Sequence, residues 1–497
     1  MGSLFGLKPP PITHCRVLEL GCASGGNLIP MAFRFPESTF VGIDLSIREL
    51  EPGRKTIRDL GLKNITLRHM NVMDVHDSLG RFDYIIAHGI YSWVPDRLQD
   101  KILSICSKNL APNGIAYVSY NTYPGWHMRG MIRHMMLYHT SHFQDVNDKI
   151  REARALIDFL ANSLPGERDH FALLLEKELD LIQRSEDSYL FHEHLEEQNA
   201  PVYFHQFVER AQKHGLQYLA EAEFSSMLTS GFPRKVAETV EGISNDLIAA
   251  EQYMDFLRNR LFRQTILCHN ELSLERTLGS SSLEHLLIAS RATPERLPVD
   301  LTPGVKQAFR TVTGAWTKSD FPITKAALAI LRDAWPKALT LDTLRKDAEE
   351  VVRDTLPAFP MDPPGYKESL AEDLLHCFAG NVVEFRTCQQ NFVTVVSEKP
   401  MVSPLAAYQA EHGLPIVNQR HESIEIDPVS KELLKAMNGA RDLNGLIDYL
   451  VQQGISGAFP MEKNGKPLSG EKSLRRALEE GIADLVQNIA NLALVIR

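Results

Sequence analysis

The chain has 497 residues, 44% of them hydrophobic and 23% charged, with a formal net charge of −10; that length exceeds a single compact core and implies roughly two to four domains. The acidic balance, with no basic run of five or more residues, disfavours a nucleic-acid partner, and no apolar run approaches the ~20 residues of a membrane helix, so no membrane partner is expected. The six cysteines are scattered without a C-x-x-C pair and the N-terminus has no signal-peptide pattern, so a reducing, cytoplasmic setting and no metal site are expected.

The opening, MGSLFGLKPPPITHC, is stiffened by its prolines, and the first strand starts near Arg16. Residues 16–27, RVLELGCASGGN, run a short apolar strand into a glycine-rich turn, and a helix is expected over 26–35. A second strand over 39–44 ends on Asp44. Ser46 is placed to cap the next helix, which reaches Leu60 across an internal Pro52-Gly53. Further strands are expected over 65–70, 82–88 and 115–120, with a helix over 95–110 and a turn at 112–114. Strands alternating with helices at this spacing imply a parallel, doubly wound α/β sheet.

The turn after the first strand differs from the dinucleotide pattern. That pattern is G-x-G-x-x-G, whereas here Glu19 precedes Gly21, Gly25 and Gly26. A carboxylate at that point repels a pyrophosphate and suits a cation. The sulfonium and ammonium groups of S-adenosylmethionine (SAM) are cations, so SAM is favoured over NAD. Asp44, at the tip of the second strand, is placed to accept from ribose hydroxyls. Asp74 follows the third strand, where it can cap a turn or, by resemblance to the methyltransferase pattern, accept from the adenine amino group. His88-Gly89-Ile90-Tyr91-Ser92-Trp93 follows the fourth strand, at the edge where ligands bind in such sheets. Residues 120–127, YNTYPGWH, follow the fifth. Asn-Thr-Tyr-Pro superficially resembles the N-P-P-aromatic string of amino-group methyltransferases, but that string belongs after strand four, so it gives no case for DNA methylation.

Together, VLELGCASGGNLIPMA, HGIYSWVP and YNTYPGWHMRGMIRHMMLYH resemble bacterial methyltransferases carrying a methyltransferase regulatory domain. The best-described members are protein-lysine methyltransferases that act on outer-membrane proteins. The resemblance implies a Rossmann-like class I methyltransferase sheet with a helical insertion, followed by mainly helical, winged-helix-like C-terminal domains. It implies SAM as cofactor, held by Glu19, Gly21, Gly25, Asp44 and Asp74, with His88 and the aromatics Tyr91, Trp93, Tyr123 and Trp126 near the methyl group. The implied partner is a protein substrate, such as an outer-membrane protein before export, and a homodimer is compatible with it. His88 and His127 are both placed to relay a proton. Family members usually carry a helical segment ahead of LFGLKPP that closes over the cofactor; this sequence opens MGSLFGL. Two alternatives stay open: methylation of a small molecule or biosynthetic peptide, and a non-catalytic SAM-binding regulator.

The expected domains are a SAM-binding core over 1–140, a helical insertion with completing strands over 141–230, a helical connector over 231–300, and winged-helix-like units over 301–399 and 416–497. Within them, 145–183 is strongly helical, and His192-Glu193-His194 reads as pocket or core histidines rather than a metal site. Residues 245–267 read as one long amphipathic helix whose Arg258, Arg260 and Arg263 face solvent or another domain. A hairpin is expected between 382–388 and 391–396, and a proline-interrupted linker over 400–415. Asp427 and Asn438-Gly439 bracket a helix near the C-terminus, and a final helix covers 471–494.

Overall fold

In the computed structural model the described residues are 1–163, 170–360, 366–390, 392–460, 462–463, 466–467 and 470–497. The alternating elements of the first third build the parallel part of the sheet that the sequence implies; two later strands complete it, and the antiparallel one makes it mixed. Its strands are β1 (Arg16–Leu20), β2 (Thr39–Asp44), β3 (Ile65–His69), β4 (Phe82–Ala87), β5 (Leu110–Asn121), β6 (Leu216–Glu221) and β7 (Phe262–His269). They lie in the order β3-β2-β1-β4-β5-β7-β6. β1 to β5 pair in parallel, and β7 runs antiparallel between β5 and β6. The order reverses direction beside β1, so the carboxyl ends of β1 and β4 flank the switch point where such sheets bind ligands.

Helices α1 (Leu28–Arg34), α2 (Ile47–Asp59), α3 (Asp96–Lys108) and α4 (Gly125–Thr140) follow β1, β2, β4 and β5. The Ser46 side chain caps α2 by accepting from Glu49 N. This helix runs unbroken through Pro52-Gly53. A side chain at Gly53 would collide with the Ser24 carbonyl oxygen, so the glycine lets α2 approach the turn after β1.

The stretch 245–267 is not one helix. A helix spans Leu247–Arg258, Asn259 takes the left-handed conformation at φ 49°, and β7 follows. The apolar spacing that reads as a helix continues into a strand because both faces of β7 are covered, which removes the alternation of a half-exposed strand. The solvent-facing reading of the arginines is overturned with it. Arg263 is fully buried, with Nε 2.8 Å from Asp255 Oδ2, Nη1 2.9 Å from Glu221 Oε1 and Nη2 2.9 Å from Glu251 Oε2. Arg260 pairs with Glu221 and Asp255, and Arg258 donates to the Ser226 and Leu228 carbonyls.

Beyond the sheet, helices Pro322–Ala334, Leu341–Thr355 and Tyr366–Ala379 pack on a three-stranded sheet. That sheet joins Leu339–Thr340 and Glu384–Arg386 to the two edges of Leu287–Ala289. The expected local hairpin is therefore replaced by a long-range pairing: the partner of 384–386 lies almost a hundred residues upstream. Residues 392–396 form no strand, and Asn391 lies outside the described residues. One core joins this unit to the last strands of the large sheet through Leu219, Ile266, Ile288, Leu328 and Leu344.

The expected linker over 400–415 contains a helix, Pro404–His412, with proline in its first turn and Gly413 left-handed at its end. Its Ala406 and Ala410 are buried in the same core as Leu433, Leu450 and Leu478. Asp427 caps Pro428–Ala436, Asp442 caps Leu443–Ile455, and Glu471–Asn491 closes the chain's helical part.

Candidate functional site

The turn after β1 is held from β2. Gly21 N and Cys22 N both donate to the Ile43 carbonyl, and Ala23 N donates to Asp44 Oδ2 at 2.9 Å. Gly21 and Gly25 have φ of 72° and 74°, the left-handed region open to glycine, while Ala23 is held there at 45°. The second Asp44 oxygen accepts from Ser46 N at 2.8 Å.

Glu19 points into this turn and is only 5% exposed. Asn27 Nδ2 donates to its Oε1 at 3.0 Å, and its Oε2 is buried with no hydrogen-bond partner among the described residues. Burial pushes its carboxyl up to about 7 against the pull of the Asn27 amide. A buried, orphaned carboxylate oxygen beside a glycine turn is what a cationic ligand satisfies. The residues present therefore fit the aminoacyl end of SAM.

A cavity of about 490 Å³ opens beside Asn27, His88, Tyr117 and His421, with an otherwise mainly apolar lining that includes Val17 and Phe40. His88 follows β4, with Nδ1 3.1 Å from Tyr117 Oη and its ring edge-on to Phe262 at 6.2 Å. Burial lowers its pKa, which keeps it neutral at pH 7. Asp74 lies exposed in the short turn Val72–Asp74 after β3. Leu45 and Ile47, 65% and 54% exposed, flank Ser46 just past Asp44.

The aromatics after β4 and β5 fall into two groups. Trp93 lies 4.5 Å from the His192 ring and meets Trp126 edge-on at 6.3 Å. Tyr123 stacks on His127 at 4.0 Å, and His127 Nε2 lies 3.0 Å from Tyr203 Oη. The segment through Tyr203 is brought in by pairing: Thr122 bridges to Val202, Ala200 N donates to the Ser92 carbonyl, and Asn121 Nδ2 donates to Asn199 Oδ1. Tyr91 joins neither group. The first turn after β4 carries it to the interior, fully buried against Phe207 and Tyr120. His192 sits in a π-helical turn, Phe191–Leu195.

Three residues at the site carry no sequence signal as ligands. Asn27 reads only as the end of the glycine run, Tyr203 is one aromatic among several in VYFHQF, and His421 lies almost four hundred residues from the turn it meets.

Family models match three parts of the chain. Residues 18–116 match a methyltransferase domain, 186–269 a predicted methyltransferase regulatory domain, and 398–494 a PKMT C-terminal winged helix domain. The chain is similar to the solved structure of PKMT2 from Rickettsia typhi, at 31% identity and a TM-score of 0.88, covering 100% of this chain and 97% of that one. A second solved structure of that protein, equally similar, is a complex with AdoHcy. Protein RP789 of Rickettsia prowazekii is 35% identical over 503 residues, which span all of this chain and 90% of the relative. The chain belongs to the family of class I SAM-dependent methyltransferases that join a methyltransferase regulatory domain to a PKMT-type C-terminal winged helix.

Proposed function

We propose that this chain transfers the methyl group of SAM to the side-chain amine of lysine in a protein substrate. The observation that carries the cofactor half is the buried Glu19 oxygen without a partner among the described residues, beside a turn that β2 holds open. Glu19 would take the cofactor's ammonium, the backbone at Gly21 and Gly25 its close approach, Asp44 the ribose hydroxyls and Asp74 the adenine amino group. Leu45 and Ile47 supply exposed apolar surface beside Asp44 for the adenine face. Likeness to PKMT2, with and without AdoHcy, supports this assignment.

The bound cofactor supplies an activated methyl group, so the chain's own task is to bind, orient and deprotonate the acceptor. A lysine amine reaches its neutral form at pH 7 at a cost of about 4.6 kcal/mol, from a pKa of ~10.4. Trp93 and Trp126 with His192, and Tyr123 with His127 and Tyr203, form aromatic walls at the carboxyl ends of β4 and β5. Such walls attract the arriving cation and, once water is excluded, favour the neutral amine. His127 is part of the second wall, while His88 stands apart from both against Tyr117 and Phe262, where burial favours its proton-accepting form. Tyr91 is given no contact with substrate; its place in the core makes it a support for the turn that carries Trp93.

The test is incubation of the purified chain with methyl-deuterated SAM and a panel of lysine-containing proteins, outer-membrane proteins among them, followed by peptide mass spectrometry. Deuterated methyl groups on lysine are expected. Saturable SAM binding with label only on other residues or on small molecules would overturn the lysine assignment while leaving methyl transfer intact.

A further inference from the structure

The C-terminal winged helix lies against the cofactor turn, and it does so through a strained residue. His421 has φ 64°, a left-handed conformation that an L-residue rarely adopts. The surrounding turn is over-determined. Asn418 Oδ1 accepts from Arg420 N at 2.8 Å and Glu422 N at 3.0 Å, Asn418 Nδ2 donates to the Leu492 carbonyl, and Gln419 Nε2 donates to the Val495 carbonyl. The turn is thereby pinned to the end of the chain's last helix and to the strandlike residues beyond it. Arg34 at the end of α1 donates to the Gln419 carbonyl, and Tyr408 Oη donates to Asp59 Oδ2 at 2.9 Å, so the module is docked on the methyltransferase core at separate points.

From this turn His421 Nε2 reaches Asn27 Oδ1 at 2.9 Å. Asn27 then presents its amino group to Glu19 Oε1 at 3.0 Å. The direction of the chain is set by donor and acceptor identity. An amide whose oxygen accepts from the imidazole N–H has its NH2 left for the carboxylate. With Oε1 so held, Oε2 is the oxygen left free.

We infer that His421, supplied by the C-terminal winged helix, is a positioning residue for the cofactor site: through Asn27 it orients the Glu19 carboxylate toward the cofactor's ammonium group. The inference rests on the methyl-transfer reading above. It assigns the winged helix a part in cofactor binding, and it makes the carboxyl end of β1 answerable to a module that closes on it from the far end of the chain.

The experiment is calorimetric SAM titration of the full-length chain and of its His421→Ala, His421→Gln, Asn27→Ala and His421→Ala/Asn27→Ala variants, with methyl-transfer kinetics alongside. Loss of one hydrogen bond in the relay is expected to weaken SAM about 5- to 30-fold in His421→Ala. The amide nitrogen of Gln can replace imidazole Nε2, so His421→Gln is expected to restore affinity to within about threefold of the unsubstituted chain. In the Asn27→Ala background, His421→Ala is expected to change nothing further. The rate at saturating SAM is expected to hold while KM for SAM rises, a split that general loosening of the interface does not produce. Unchanged SAM affinity in His421→Ala, equal losses in the Ala and Gln variants, or additive losses in the double variant would each overturn the inference with methyl transfer still standing. Absence of SAM binding by the unsubstituted chain would overturn both.

Discussion

Asp44 and Ala23 join the carboxyl ends of two neighbouring strands beside the switch point: the carboxylate that ends β2 accepts from the backbone N–H of the turn that follows β1, at 2.9 Å. One side chain thus holds the turn open at Ala23 and, in the proposed reading, takes the ribose. Asp44→Ala removes both functions and is expected to weaken SAM about 10- to 150-fold, from the ~1.5–3 kcal/mol of a hydrogen bond to a charged group. Asp44→Asn keeps one acceptor oxygen and is expected to lose less. Calorimetric titration checks both, and unchanged affinity in Asp44→Ala would remove the ribose role.

SAM affinity is expected to depend on pH near neutrality, with Glu19 at the cofactor's ammonium as proposed. Its carboxyl is pushed up to about 7 by burial, so the cofactor-free site is largely protonated at pH 6 and largely ionised at pH 8. A cation prefers the ionised form, and affinity is expected to rise over that interval, whereas Glu19→Gln is expected to bind weakly at every pH. The stability linkage has the opposite sign. Because the folded value lies above the ordinary 4.5, Glu19's favourable contribution is complete below pH 4.5 and is lost as pH rises through about 7. The loss is on the order of 3 kcal/mol. Urea unfolding of the cofactor-free chain across pH 5–8, compared with Glu19→Gln, measures it as a difference between the two curves.

Arg263 pairs with three buried carboxylates, Glu221, Glu251 and Asp255, that converge on its guanidinium. Its guanidinium also lies 3.7 Å over the Phe204 ring. Arg263→Met leaves Glu221, Glu251 and Asp255 facing one another, with Arg260 still paired to Glu221 and Asp255 and Arg258 nearby. The expected destabilisation is about 3–5 kcal/mol, the range for breaking a buried pair from one side. Chemical denaturation checks the size. A variant as stable as the unsubstituted chain would mean that the carboxylates take up protons at little cost.

In the proposed reading, a change at Tyr123 is expected to separate acceptor binding from cofactor binding. Its ring stacks on His127 and is only partly buried, so truncation leaves the core intact. Tyr123→Ala is expected to slow methyl transfer about 3- to 30-fold, the equivalent of ~0.5–2 kcal/mol of ring–cation attraction. SAM affinity is expected to stay within about twofold. Equal losses in rate and in SAM affinity would place Tyr123 at the cofactor instead of the acceptor.

Much of the sheet is legible in the sequence because its information is local. A glycine run after an apolar strand, an acid at the tip of the next strand and Ser46 at a helix start each act within a few residues of themselves. Glu19, Gly21, Gly25 and Asp44 could be named for that reason, and the tertiary structure gathers them around one turn. Tyr91 shows where locality ends. Spacing places it in the loop after β4 with Trp93, but two residues of a tight turn separate a side chain set against His192 and Trp126 from one packed on Phe207.

What the tertiary structure alone decided involves partners far apart in the chain. The covered strand β7 carries helix-compatible spacing, and its register exists only once β5 and β6 flank it. The strand 384–386 finds 287–289 rather than its sequence neighbour. The buried charge on Arg263 is tolerable only where Glu221, Glu251 and Asp255 converge. His421 reaches Asn27 across 394 residues. Periodicity and capping record the free energy a segment gains within itself, so they determined the helices of the first third and the glycine turn after β1. Contacts between distant segments are recorded in no single stretch, so the completed sheet, the aromatic walls and the meeting of the winged helix with the cofactor turn were decided by folding.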